Sequence, residues 1–143
     1  QKIAFTLSDL FCVDRHRDSF RELINNNVDI LFGNQDEFPA MVNSKNIYDG
    51  IEYAKSLKKL SIITLADKGS LIVCDEKVLE IGAEHVAQII DTTGAGDLFA
   101  SGFLFGMTHN KGLKECGHLA SIAAAEIISH FGVRPKVKLS SLI

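Results

Sequence analysis

The stretch Asp91-Thr92-Thr93-Gly94-Ala95-Gly96-Asp97 joins a short apolar run, Ile89-Ile90, to a segment with helical patterning through two closely spaced glycines. Glycine at 94 and 96 removes the Cβ atoms that would hold an anion away from the main chain. The helix that follows offers unpaired N–H groups and the positive end of its dipole. The junction is therefore read as an anion cradle. Asp97 falls in the first turn of that helix, beside the place where a phosphoryl group would be held. A base next to an anion cradle points to group transfer onto a hydroxyl. For any short Gly-x-Gly-Asp the plainer alternative is a tight turn followed by a helix acid, so the wider sequence has to discriminate.

At 143 residues the chain can bury one real core, and one domain is expected. Apolar residues make up 46% and charged residues 23%, which excludes a disordered or low-complexity chain and predicts a compact soluble unit. A net charge of −3, a pI near 5.9 and the lack of a Lys/Arg cluster leave no electrostatic footprint for nucleic acid or an anionic membrane. Cys12, Cys74 and Cys116 are odd in number and far apart, with no histidine at ligand spacing. That spacing argues against a disulfide framework or zinc site and for a reducing cytoplasm. No apolar run approaches the ~20 residues of a membrane helix. Gln1 opens directly on a strand-like pattern, which suggests a fragment of a longer protein.

Read in order, Lys2 to Leu7 is a short buried strand, and Asp14 caps a helix that carries Phe20, Leu23 and Ile24 on one face. Val28 to Phe32 is a second strand, ended by Gly33 and Asn34, and a helix with Ile47, Ile51, Ala54 and Leu57 follows. These units predict parallel βαβ connections. Ser61 to Leu65 is a third strand; Asp67-Lys68-Gly69 turns into Ser70 to Cys74, and Asp75-Glu76 into Lys77 to Ile81, so the last two form an antiparallel hairpin in a mixed sheet. His85 to Ile90 is strand-like. A helix from the glycine loop to about Met107 presents Ala95, Leu98, Phe99, Phe103 and Met107, and a last helix from Leu113 to Phe131 presents Cys116, Ala120, Ala124 and Ile127. Gly132 and Pro135 stop it. The Gly, Ala and Ser content of this pair permits close helix packing and leaves little bulk where a flat adenine would lie.

The heptapeptide 91–97 closely resembles the second signature of the ribokinase family, the phosphofructokinase-B-type carbohydrate and nucleoside kinases. The resemblance extends over essentially the whole chain, as the C-terminal half of such a kinase, and Val28 to Asn34 with Phe5-Thr6-Leu7-Ser8 is similar to the adenosine-kinase branch. It implies an α/β layered fold with a mostly parallel sheet, a small antiparallel hairpin and flanking helices. It also implies that Gly94, Ala95 and Gly96 stabilise the γ-phosphate of ATP while Asp97 takes the proton of a sugar or nucleoside hydroxyl. Nucleotide contacts fall on Asn34, Thr64, Gly69, Gly96 and Ser121. Asn34-Gln35-Asp36-Glu37 has the family's N-x-x-E form, in which the acid helps hold Mg²⁺-phosphate through water; the same spacing is a capping box, and both readings can hold. Phe38-Pro39 keeps that turn short.

Thr64-Leu65-Ala66-Asp67-Lys68-Gly69 resembles the family's T-x-G-x-x-G turn beside the nucleotide, with Ala66 in place of the first glycine, so a positive φ there costs energy. Gly132-Val133-Arg134-Pro135 is similar to the post-helix turn. In members with a monovalent cation such as K⁺ near the anion hole, Asp91, Thr93 and Gly132 would serve it. The expected partner is a small-molecule sugar or nucleoside, with no nucleic acid or membrane, and a homodimer would form through a lid absent from this chain. A dinucleotide-binding fold lacks its third glycine and next strand here, and a P-loop lacks its G-K-[ST]. Asp9, Asp14, His16 and Asp18 could be imagined as metal ligands, but acids at a loop and helix start are usually solvated or capping. A non-catalytic nucleotide-binding or interaction module is the alternative from another class.

Overall fold

A computed structural model describes residues 1–142. The elements run β1 Ala4–Thr6, α1 Leu10–Asn27, β2 Ile30–Asn34, α2 Glu37–Ala40, α3 Ile47–Ser56, β3 Leu60–Thr64, β4 Ser70–Cys74, β5 Lys77–Ile81, α4 Ala95–Thr108 and α5 Leu113–Ile128. They divide into two compact units, one of residues 1–66 and 70–80, the other of residues 67–69 and 81–143.

The first unit holds a sheet in the order β1-β2-β3-β4-β5. Ala4 to Thr6 pairs in parallel with Ile30 to Phe32, and Ile30 to Asn34 with Leu60 to Thr64. β3 and β4 are antiparallel, with Ser61 opposite Val73 and Thr64 opposite Ser70. The antiparallel part thus begins one strand earlier than the expected β4–β5 hairpin, because residues 65–69 turn tightly instead of crossing over. Ile30, Leu31, Phe32, Ile62, Ile63, Ile72 and Val73 are all buried, so both faces of the central strands are covered. Their near-continuous apolar runs are what such strands require. Val13 and Ile24 of α1, Phe38 of α2 and Ala54 of α3 join Leu31, Ile63 and Val73 in one cluster.

α1 begins at Leu10, five residues before the helix that Asp14 was expected to open. Asp9 is its cap, accepting from the N–H of Cys12 at 2.8 Å, and Asp14 instead pairs with Arg17 at 2.8 Å. Leu23 lies on the exposed side, whereas Phe20 sets its ring edge-on to Phe5 at 5.3 Å. At the other end the Lys59 ammonium donates to the carbonyls of Ile24 at 2.7 Å and Val28 at 2.6 Å, supplying the cation that a helix C-terminus favours. β2 continues through Gly33 and Asn34, which were expected to end it. A Cβ at Gly33 would stand 2.9 Å from Leu7 and 3.0 Å from Phe38, so glycine admits both side chains against the strand.

In the second unit, α4 and α5 pack against each other along small residues. A Cβ at Gly102 would lie 2.7 Å from the Leu119 carbonyl oxygen, and one at Gly106 would lie 2.9 Å from the Cys116 sulfur. Close approach is therefore what these glycines serve. α5 stops at Ile128, three residues short of Phe131. His85 to Ile90 forms no strand; Ile89 and Ile90 are exposed, and the Ile90 N–H donates to the Ile128 carbonyl at 2.8 Å. Among the described residues, no helix is long and apolar enough to cross a membrane.

Candidate functional site

In the second unit, the glycine loop ends in the geometry its sequence implies. Gly94 caps α4 with φ 82° and ψ 0°, a left-handed conformation that L-residues resist. The Leu98 N–H donates to the Gly94 carbonyl at 2.9 Å, closing the first helical turn. Ala95 spends its N–H on the Thr92 carbonyl at 3.2 Å. The N–H groups of Gly96 and Asp97 have no carbonyl partner among the described residues, so they are the orphan donors of this helix end. Of the three amides expected to form the cradle, Ala95 is therefore already engaged, and Asp97 adds one not foreseen. The Asp97 side chain is exposed in the same turn.

The residues expected at a monovalent cation come together beside this loop. Asp91 Oδ1 accepts from the Thr93 N–H at 2.9 Å. The hydroxyl and N–H of Thr93 hold the Asp91 carboxyl below the usual carboxylate range, and the Gly132 backbone acts in the same direction. Gly132 adopts φ 102°, and Val133 lies 3.5 Å from where a Gly94 Cβ would be. A carboxylate is a hard-oxygen ligand, which fits an alkali or alkaline-earth cation better than a transition metal, although the partners it has here, at Thr93 and Gly132, are hydrogen-bond donors. No group of three or more His, Cys, Asp or Glu at metal-binding spacing exists among the described residues. Of the Asp9, Asp14, His16 and Asp18 group, Asp9 caps α1 and Asp14 pairs with Arg17.

Gly69 and Ser121 belong to the same unit and meet around Gly82. Gly69, at φ 94°, presses so closely on the Ile81 carbonyl oxygen and the Ala83 nitrogen that no Cβ fits. Ser121 is buried, and its hydroxyl donates to the Gly82 carbonyl at 3.3 Å.

Asn34, Glu37 and Thr64 form a second cluster, within the first unit. Asn34 stands opposite Thr64 in the ladder, the Gln35 N–H donates to the Thr64 carbonyl at 3.0 Å, and the Thr64 hydroxyl faces the Gly33 carbonyl at 3.5 Å. Asn34 Oδ1 accepts from the N–H groups of Asp36 and Glu37, each at 2.9 Å. Glu37 returns the bond, Oε2 accepting from the Asn34 N–H at 2.9 Å and Oε1 from its side-chain amide at 2.8 Å. This is a reciprocal capping box in function, although it spans the turn before α2. Phe38 and Pro39 are themselves helical, contrary to the expected avoidance before proline, within a helix of only four residues. The guanidinium Nε of Arg17 donates to Ala40 O at 2.6 Å and that of Arg21 to Met41 O at 3.0 Å, satisfying the carbonyls at its end. Burial pushes the Glu37 carboxyl up against the opposing Asn34 N–H, with Asp9 and Asp36 adding to the rise. With 5% exposure and both oxygens taken by Asn34, Glu37 fits a metal only through an intervening water.

Reasoning from sequence passed over Glu126 and His130. His130 Nε2 lies 3.0 Å from Glu126 Oε1, which also accepts from the Lys136 N–H at 2.8 Å. The available signal was a single acid inside the apolar run Ala123 to Ile128.

Residues 3–139 match the pfkB family carbohydrate kinase profile. The chain is 32% identical over 121 residues to a cytidine kinase from Thermococcus kodakarensis, a stretch that covers 82% of this chain and 43% of that protein. Its fold superposes on the adenosine kinase of Sinorhizobium meliloti with a TM-score of 0.96 at 40% identity, covering 99% of this chain and 44% of that one. The adenosine kinase of Schistosoma mansoni in complex with 2-fluoroadenosine gives a TM-score of 0.86 at 27% identity, covering 99% and 45%. The chain thus spans less than half the length of these relatives. With a matched region that includes the glycine loop, the Asn34 turn and the five-stranded sheet, the chain belongs to the pfkB family of carbohydrate kinases.

Proposed function

We propose that this chain is the nucleotide-binding and catalytic part of an ATP-dependent kinase that phosphorylates a hydroxymethyl group of a nucleoside or sugar. The observation that carries this reading is the end of α4, where unspent N–H groups at Gly96 and Asp97 share one turn with the exposed Asp97 carboxylate. Donors aimed at one point stabilise charge as it develops on a moving phosphoryl group. Asp97 removes the acceptor's hydroxyl proton, the freed oxygen bonds to the γ-phosphorus, and the bond to the ADP oxygen breaks. Gly69 and Ser121 are the nucleotide contacts of the second unit, and Asn34 and Thr64 are those of the first. Mg²⁺, when bound, would neutralise the triphosphate, with Glu37 acting through water; Asp91, Thr93 and Gly132 would hold K⁺.

The names of the relatives, cytidine kinase and adenosine kinase, favour a nucleoside over a free sugar. The free thiols of Cys12, Cys74 and Cys116 suit the cytoplasm, and any homodimer would form through a segment outside this chain. The test is transfer from radiolabelled ATP to adenosine, cytidine, ribose and fructose by the protein that contains this chain. Transfer to a nucleoside at the highest kcat/KM is expected. ATP binding with no transfer to any acceptor would leave a nucleotide-binding module instead.

A further inference from the structure

The last turn of α5 anchors both sides of the loop that carries the proposed chemistry. On one side the Ile128 carbonyl accepts from the N–H groups of Ile90 at 2.8 Å and Asp91 at 3.4 Å, fixing the approach to the glycines. On the other, the chain leaves α5 and passes through 129–136 without regular structure. Within that passage Gly132 bears on Asp91 and Val133 on Gly94. Among the described residues, the hydrogen bond that closes the passage back onto the helix is that of the Lys136 N–H to Glu126 Oε1, ten residues apart and 2.8 Å long.

Glu126 is an unfavourable choice for stability alone. Its side chain is 7% exposed, and Oε2 has no partner among the described residues. A buried carboxylate with an unpartnered oxygen is destabilising relative to an apolar side chain of similar volume, and the neighbours from Ala123 to Ile128 are otherwise apolar. Its other oxygen holds two groups at once: the His130 ring, itself buried, and the Lys136 backbone.

We propose that Glu126 is a positioning residue, a clamp on α5 that ties down the 132–136 turn and through it keeps Asp91 and Gly94 in register for phosphoryl transfer. This rests on the reading of Gly94 to Asp97 as the transfer site. Glu126 touches no reacting atom. Its loss loosens the loop and leaves the rest of the nucleotide site in place.

The experiment pairs residue-resolved amide hydrogen exchange with kinetics in the protein that contains this chain. In Glu126→Ala, amides of Asp91 to Asp97 and of Lys136 should exchange about tenfold faster, while those of Phe103 in α4 hold their wild-type rate. The kcat should fall about tenfold or more with the KM for ATP little changed, since misplacement at a distance acts on the chemical step. Glu126→Gln keeps an acceptor oxygen and should restore most of both. If Glu126→Ala does not fold, Lys136→Pro removes the donated N–H and leaves the carboxylate untouched, and it should speed exchange over Asp91 to Asp97 and lower kcat in the same way. Unchanged exchange over 91–97 in either folded variant overturns the clamp. If the protein transfers no phosphate at all, exchange still judges the clamp, and only the transfer reading falls.

Discussion

Two turns in this molecule place an acid at the start of a helix after a strand-like run, and they do opposite things with it. At Asn34 to Glu37 the side chains satisfy the turn from within: Asn34 Oδ1 takes two N–H groups, and both Glu37 oxygens are taken by Asn34. At Gly94 to Asp97 the cap is a glycine with no side chain to give, the next two free N–H groups stay unspent, and the acid faces outward. A complete turn stabilises the chain that makes it. An incomplete turn leaves its donors free for a ligand, and that is the basis for the transfer site proposed there.

The largest effect that can break this contrast is Asp97→Asn. Asn is nearly isosteric and still suits a helix start, so fold and ATP affinity should survive while the proton acceptor is lost. Loss of a general base costs roughly 10²–10⁴ in rate, or ~3–5 kcal/mol of barrier, against ~0.3–1 kcal/mol for an acid that only complements a helix dipole. Measured side by side, kcat should collapse and the nucleotide Kd should not. A kcat within a few-fold of wild type would reduce Asp97 to the role that Glu37 already plays.

Glu37→Gln sharpens the other side. An amide there presents donors to the Asn34 donors, so at least one bond is lost in a buried place, at a cost of ~1–3 kcal/mol in unfolding free energy. The wild type carries a pH signature that the variant lacks. Because burial raises the folded-state pKa of Glu37 above its unfolded value, the folded state binds this proton more tightly. Its contribution to stability is therefore fullest below the ordinary glutamate value of about 4.3 and is lost as pH rises through the folded value. Urea midpoints across that range should show wild type losing ground to Glu37→Gln as pH rises; parallel curves would mean that Glu37 titrates like a surface acid. If the activity of Glu37→Gln keeps the wild-type Mg²⁺ dependence, the carboxylate serves the cap alone.

The contrast also explains what was legible in the sequence. The glycine loop, the N-x-x-E turn and the apolar strands were readable because each rests on local chemistry: left-handed φ at Gly94, reciprocal capping at Asn34 and Glu37, continuous burial from Ile30 to Phe32. Boundaries set by distant contacts were not. Nothing local says that Asp9 rather than Asp14 caps α1, since both precede apolar residues at helical spacing. His85 to Ile90 has a strand's composition, yet it docks by one main-chain bond to the end of α5, a contact between residues 38 apart in sequence that no periodicity reports. Glu126 was missed for the same reason, because its partner at Lys136 is set by the path of the turn.

The smallest effect tests whether backbone strain follows the same division. Ala66 sits at φ 54° in the first unit, where the family-like pattern has glycine, while Gly94 sits at φ 82° in the second. An L-residue in the left-handed region costs ~1–2 kcal/mol, and glycine returns ~0.4–1 kcal/mol of that by loosening the unfolded chain. Ala66 is exposed, so its methyl adds little packing to set against the strain. Ala66→Gly should therefore stabilise by ~0.5–1 kcal/mol, and Gly94→Ala, where Val133 at 3.5 Å leaves ordinary room for a methyl, should destabilise by about the same. Chemical denaturation resolves both shifts. A Gly94→Ala loss well beyond that of an isolated left-handed residue would mean that the methyl displaces Val133 as well as straining the backbone, whereas a loss of the predicted size would mean that backbone strain alone sets the cost.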